Sequence, residues 1–260
     1  MSEHILVERE GGLLTLRLNR PDKKNALTRA MYSRMGEALN AANSDSSVRA
    51  VLITGSTECF TSGNDVSVFL QAPPTSLDSP VFQFMRALFN FEKPVVAAVA
   101  GPAVGIGTTL LLHCDLVYVS RDAKLRTPFV NLGLCPEFGS SLILPRLLGQ
   151  AKAAEVLLLG EAFTGEQAAS WGIASAALED GPSTLAKARE VALRFLELAP
   201  SAVTDSKRLM RAPGREELRQ VIEEESTLFG QRLRSPEAIA ALSAFMRKKA
   251  AVSGKPQAAS

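Results

Sequence analysis

The run Lys93-Pro94-Val95-Val96-Ala97-Ala98-Val99-Ala100-Gly101-Pro102-Ala103-Val104-Gly105-Ile106-Gly107-Thr108 changes character twice. Val95 to Val99 is uninterrupted apolar sequence, the pattern of a strand buried on both faces. Glycines then break it, and helical character begins at Thr108. Glycines at a strand-to-helix junction let the backbone approach a ligand closely, and the first helical turn points unpaired N–H groups at it. Such a junction can hold a phosphate or an oxyanion. It lacks the spacing of a dinucleotide fingerprint and the GK[ST] ending of a P-loop. A tight turn that merely packs a helix on a sheet accounts for it equally well.

The flanks extend the pattern. Ala50-Val51-Leu52-Ile53-Thr54, ended by Gly55, and residues 115–120 are further buried strands, and helices separate them. That order predicts an α/β fold with mainly parallel pairing through crossovers. Upstream, residues 4–10 and 13–19 alternate around Gly11-Gly12 as a β-hairpin. Thr28 caps a helix to about Asn43 with Met31, Met35 and Leu39 on one stripe. Residues 72–80, rich in Pro and Ser, predict a mobile loop, and a helix follows over 81–91. After about 145 the pattern turns helical, with Thr164 and Gln167 spaced as a capping box and Ser235-Pro236 as cap and first turn. The tail from about Ser253 is expected to fray.

Composition excludes several chemistries. The 260 residues are 46% hydrophobic and 22% charged, with 29 basic and 27 acidic residues and a net charge of +2. That balance exerts no global pull on nucleic acid or an anionic membrane. His4, His113, Cys59, Cys114 and Cys135 show no metal-ligand spacing, so no metal is expected, and dispersed cysteines predict reduced thiols. The opening Met-Ser-Glu-His has no apolar signal region, no apolar run approaches a membrane span, and the ending Gln-Ala-Ala-Ser is not a peroxisomal tripeptide. A cytoplasmic address is expected.

Three places could carry chemistry. One is the junction at 101–108. Another is Ser62-Gly63-Asn64-Asp65, where Asp65 is either a general base or a helix cap. The third is Glu137, flanked by Leu134, Cys135 and Phe138. Desolvation there would raise a carboxyl toward neutrality, which suits a base taking protons from carbon. A salt-bridged or solvent-facing glutamate is the alternative. His113, among Leu110, Leu111, Leu112 and Cys114, fits a core or interface position. Glu223-Glu224-Glu225 fits a solvated helix face, and Arg247-Lys248-Lys249 a basic helix end facing its dipole. No G-x-S-x-G motif is present, and Ser140-Ser141 has no histidine partner in the sequence. Backbone donors with one apolar-flanked carboxylate remain, a pairing suited to proton transfer through an enolate.

Asn19-Arg20-Pro21…Asn25-Ala26-Leu27, Phe60-Thr61-Ser62-Gly63-Asn64-Asp65-Val66, Lys93-Pro94…Gly101-Pro102-Ala103-Val104-Gly105 and Ala168…Gly172-Ile173 together resemble the enoyl-CoA hydratase/isomerase (crotonase) superfamily. The resemblance runs from the first strand to about Lys249. It implies a crotonase-like spiral of ββα units over 1–200 and a C-terminal helical trimerisation part over 201–260, in a homotrimer or a dimer of trimers. It also implies an acyl-CoA substrate, whose thioester oxygen the backbone N–H groups of Asn64 and Ile106 would hold. Coenzyme A would enter as part of the substrate, with no separate cofactor. Lys24, Asn25 and Ala26 would lie near its adenine and phosphates. Ser62 and Asp65 would help shape the cleft, and Phe245 and Lys248 would close a neighbouring subunit's site.

Departures from the family pattern point to a subgroup. Where hydratases of this family carry two glutamates, this chain has Thr109 and Phe129. Thr127-Pro128-Phe129…Leu132-Gly133…Pro136-Glu137 instead resembles the peroxisomal-type Δ3,Δ2-enoyl-CoA isomerases, whose single catalytic glutamate falls on Glu137. The resemblance thus implies isomerisation of a 3-enoyl-CoA to the conjugated 2-enoyl-CoA, in fatty acid β-oxidation. Another crotonase reaction, such as hydration or acyl-CoA hydrolysis, and a non-catalytic acyl-CoA-binding role are the alternatives.

Overall fold

A computed structural model describes residues 3–71, 74 and 78–252. The hairpin of β1 (Ile5–Glu10) and β2 (Leu13–Leu18) turns at Gly11, whose φ of +56° suits a residue without Cβ. The Thr28 side chain accepts from Met31 N–H and opens α1 (Arg29–Ser44), which buries Met31, Tyr32, Met35 and Leu39. Next come β3 (Ala50–Thr54), α2 (Val66–Gln71), α3 (Pro80–Phe89) and β4 (Val95–Val99). Then follow β5 (Pro102–Val104), α4 (Ile106–Thr109), a 3-10 turn over Leu110–His113, β6 (Leu116–Ser120) and β7 (Lys124–Arg126). Beyond them are α5 (Ser140–Leu148), α6 (Gln150–Ala154), β8 (Phe163–Thr164), α7 (Gly165–Ser170), β9 (Ala176–Leu178) and α8 (Gly181–Arg194). The last three helices are α9 (Pro200–Arg211), α10 (Arg215–Arg232) and α11 (Pro236–Val252).

The larger sheet has the order β1-β2-β3-β4-β6-β9 and is parallel beyond the hairpin. Alternate residues of its central strands enter two separate cores, as a repeat of two demands. Val51, Ile53, Val95, Ala97 and Val117 face the main core with α1 and α3. Leu52, Val96, Ala98 and Tyr118 face Ala188, Val191 and Ala192 of α8. A third cluster joins Phe129 and Leu134 to Phe229, Leu233, Ala238 and Leu242 of the C-terminal helical region. No helix among the described residues is long and apolar enough to cross a membrane.

Several local expectations are corrected. The helix after the glycines starts at Ile106, two residues before Thr108, because Gly105 at φ +58° accepts from the N–H groups of both Thr108 and Thr109. A second, smaller sheet of β5-β7-β8 lies beside the first. Two strands, β8 and β9, fall within the region expected to be helical. Residues 72–80 are described only at 74 and 78–80, with Pro80 opening α3; the rest of that stretch, and the tail from 253, lie outside the described residues.

Candidate active site

The site begins with main-chain pairing. Thr61 N–H donates to Pro102 O, and Val104 N–H donates to Thr61 O, at 2.9 and 3.1 Å. This parallel bridge aligns Thr61 with Ala103, so Asn64 and Ile106 each follow it by the same number of residues. On the other side, Leu27 N–H bonds Gly63 O at 2.8 Å and Asp65 N–H bonds Leu27 O at 3.0 Å. Gly63, at φ +87°, passes so close to the neighbouring strand that a Cβ there would lie 2.6 Å from Val104 O. No hydrogen bond from the Asn64 or Ile106 N–H forms among the described residues, and Ile106 opens α4. Two amide donors at matched positions suit an oxyanion.

The flanking polar side chains hold this frame. Asn25, at φ +54° and buried, donates to Cys59 O and Phe60 O at 3.1 and 2.9 Å and accepts from Arg20 N–H. Ala26 is buried, whereas Lys24 is exposed and its carbonyl accepts from Ser62 N–H at 2.9 Å. Asp65 pairs with Arg20 at 2.8 Å and accepts from Ser67 N–H and Oγ–H. Burial pushes its carboxyl up, but the Ser67 and Arg20 bonds outweigh that and hold it below the ordinary value. Of the two sequence readings of Asp65, the structure supports the cap of α2. Phe245, 43% exposed, and Lys248, also exposed, lie on α11, the helix whose Ala238 and Leu242 pack on the Phe129 cluster.

Glu137 is 3% exposed, and its Oε1 accepts from Thr109 Oγ–H at 2.9 Å. Burial pushes its carboxyl up to about 8, against the Thr109 bond, which lowers it, and with the help of the nearby charge of Glu225. Thr109 thus touches the carboxylate. Phe129 is buried edge-on against Phe229 with ring centres 6.3 Å apart.

After Glu137 the chain turns sharply through Phe138 at φ +56° and Gly139 at φ +75°. A phenylalanine in that region is strained, and it persists only where its surroundings determine it. The His113 ring stacks on Phe138 at 3.7 Å, and its Nε2–H donates to Phe138 O at 2.7 Å. Burial above all holds the imidazole far below its usual value, at about 3, so it is neutral. His113 is therefore a core residue, as its apolar neighbours in sequence suggest. The expectation for Glu225 is overturned: it is 6% exposed and bonds the Gly139 and Ser141 amides.

Tyr32 is a component that sequence reasoning did not single out. Its hydroxyl donates to Asn64 Oδ1 at 2.5 Å, and its phenol is pushed above 10 by burial and then by the Glu137 charge. It therefore joins the amide-bearing loop to the neighbourhood of the buried carboxylate. The available signal was a phenol beside Met31 on a buried stripe, where a hydroxyl needs a partner. A cleft bounded by Tyr32, Asn64, Val68, Pro80 and Val81 opens beside this group.

Replacing Thr109 by Val removes a hydrogen bond to the charged carboxylate while keeping side-chain volume. Such bonds contribute about 1.5–3 kcal/mol. If kcat/KM depends on ionised Glu137, its acid limb lies near 8 in the wild type and moves to higher pH in Thr109→Val. The rate at pH 7 should then fall by about tenfold or more; an acid limb unmoved by the substitution would separate Glu137 from Thr109.

With this geometry in place, the comparisons with known proteins are direct. The chain belongs to the enoyl-CoA hydratase/isomerase family, whose pattern matches residues 8–254. The solved structure of Pseudomonas aeruginosa OdaA is 71% identical, with a TM-score of 0.93 covering 94% of this chain and 99% of that one. Enoyl-CoA delta isomerase 2 of Rattus norvegicus is 38% identical over 255 residues, 95% of this chain; the chain spans 64% of that relative's length. The 2,3-dehydroadipyl-CoA hydratase of Escherichia coli K12 is 32% identical over 252 residues, 96% of this chain and 97% of that protein. The mixed α/β body with its C-terminal helices is thus a crotonase fold.

Proposed function

We propose that this protein is a Δ3,Δ2-enoyl-CoA isomerase. The observation that carries the reading is the buried Glu137 carboxyl, raised to about 8, with Thr109 and Phe129 where a hydratase would place its glutamates. Ionised Glu137 takes a proton from C2 of a 3-enoyl-CoA, and the C–H electron pair moves toward the thioester oxygen. The Asn64 and Ile106 amides hold the charge that develops there. The dienolate collapses, a C2=C3 bond forms, and protonated Glu137 returns a proton at C4. One carboxylate suffices when both carbons lie on the same side of a bent acyl chain.

Lys24, Asn25 and Ala26 are assigned to the adenosine-phosphate end of the thioester, with Ser62 and Asp65 shaping its entrance. The assembly proposed is a homotrimer or dimer of trimers, in the cytosol, with Phe245 and Lys248 reaching a neighbour's site. The place in metabolism is fatty acid β-oxidation.

The test is incubation of the purified protein with 3-enoyl-CoA esters of short, medium and long chain in deuterated buffer. The expected result is absorbance of a conjugated thioester with no gain of water in the product mass. A hydratase would add solvent oxygen and a hydrolase would release free coenzyme A. No conjugation with any chain length would overturn the assignment.

A further inference from the structure

Glu225 is the buried carboxylate that the proposed chemistry leaves unused. It lies on α10 beside Glu223 and Glu224, both exposed, yet it turns inward. Its Oε2 accepts from Gly139 N–H and its Oε1 from Ser141 N–H, the second at 2.9 Å. Both amides lie at the start of α5, where helical N–H groups lack intrahelical partners and the helix dipole favours negative charge. α5 follows directly on the turn that carries Glu137. Three contacts clamp that turn: His113 on Phe138 O, Ser140 Oγ–H on Glu137 O at 2.7 Å, and Glu225. Among these clamps Glu225 alone can carry a charge of the same sign as the base.

We propose that Glu225 is a positioning residue for Glu137: anchored on α10, its carboxylate grips the Gly139 and Ser141 amides and fixes the strained turn that presents Glu137 to the substrate. This rests on the reading of Glu137 as the base. A second consequence follows from charge, because the Glu225 carboxylate disfavours ionisation of Glu137. Three other titratable groups near the pair stay neutral at assay pH. Cys135, in the loop before Glu137, is pushed up to about 11 by burial first, and Tyr32 on α1 stands above 10. His113 is neutral, and the exposed Glu224 on the same helix pushes Glu225 up by its charge. Burial also raises Glu225 itself, while its bonds to Ser141 and Gly139 hold it down.

Two variants separate grip from charge. In Glu225→Gln the charge and one acceptor are lost. In Glu225→Asp the charge stays, but the oxygens retreat by one methylene. Carboxyl 13C NMR of ligand-free protein, with the Glu137 signal assigned from Glu137→Gln, gives the Glu137 midpoint without reference to any reaction. Glu225→Gln should lower that midpoint, and both variants should lose about tenfold to a hundredfold in kcat, the scale of a misplaced catalytic group. KM should change little. A variant that unfolds at lower temperature but keeps the wild-type midpoint and kcat makes Glu225 merely structural and overturns the proposal. If Glu225→Gln does not fold, full kcat in Glu225→Asp overturns it equally. A shifted midpoint in a protein inert toward 3-enoyl-CoA would sink the isomerase reading and leave the coupling of the two carboxyls standing.

Discussion

Glu137→Gln should reduce conversion of 3-enoyl-CoA by about 10²–10⁴-fold in kcat, the usual contribution of a positioned acid–base group. Gln keeps the shape of the side chain and an oxygen that can accept from Thr109, so the turn and acyl-CoA binding should survive. Stability supplies an independent signature. The Glu137 carboxyl has its folded value raised to about 8 from an ordinary 4.5, so its contribution to stability is full below 4.5 and is lost as pH rises through 8. Gln does not titrate. The variant should therefore hold its Tm as pH rises from about 4.5 to 8, the window over which the wild type declines. Wild-type turnover in Glu137→Gln would remove the residue from the mechanism, whatever the Tm curves show.

Gly63→Ala should be nearly as damaging without touching a reactive side chain. An alanine there must adopt φ +87° and place its Cβ 2.6 Å from a backbone oxygen of the neighbouring strand. The conformation alone costs about 1–3 kcal/mol. Relief requires the 61–65 segment to move away from β5, and the Asn64 amide moves with it. Misplacing one donor of an oxyanion pair costs about 2.7–4 kcal/mol in the barrier, a loss of about 10²–10³ in kcat. Thermal unfolding and kcat measured together would check this; a variant with lowered Tm but intact kcat would show that the Asn64 amide plays no part in turnover.

How far the sequence could be read depended on the length of each signal. β3 and β4 are five-residue strands, apolar but for Thr54, and the Thr28 cap and the Thr164–Gln167 capping box are local chemistry, so all four were legible. β5, β7, β8 and β9, of two or three residues each, are too short to show a repeat of two; tertiary pairing creates them. Glu137 stood out because a charge among apolar neighbours is unusual. The Asn64 and Ile106 positions came from resemblance, since backbone amides leave no side-chain signature. Glu225 was hidden by repetition: three successive glutamates look alike in sequence, although helical geometry sends the last of them into the protein and the first two to water. Tyr32 was hidden by its own hydrophobic stripe.

The bridge between Thr61 and Ala103 has one more consequence, for how this scaffold can change. The paired amides belong to the main chain, so exchanging the side chain at 64 or 106 for anything but proline leaves both donors present. Under the proposed reading of these amides, substitution can change the side chains at 109, 129 and 137 while both donors are inherited intact. Reaction type and thioester activation would then be separable traits, and a drift in the first need not pass through a form that has lost the second.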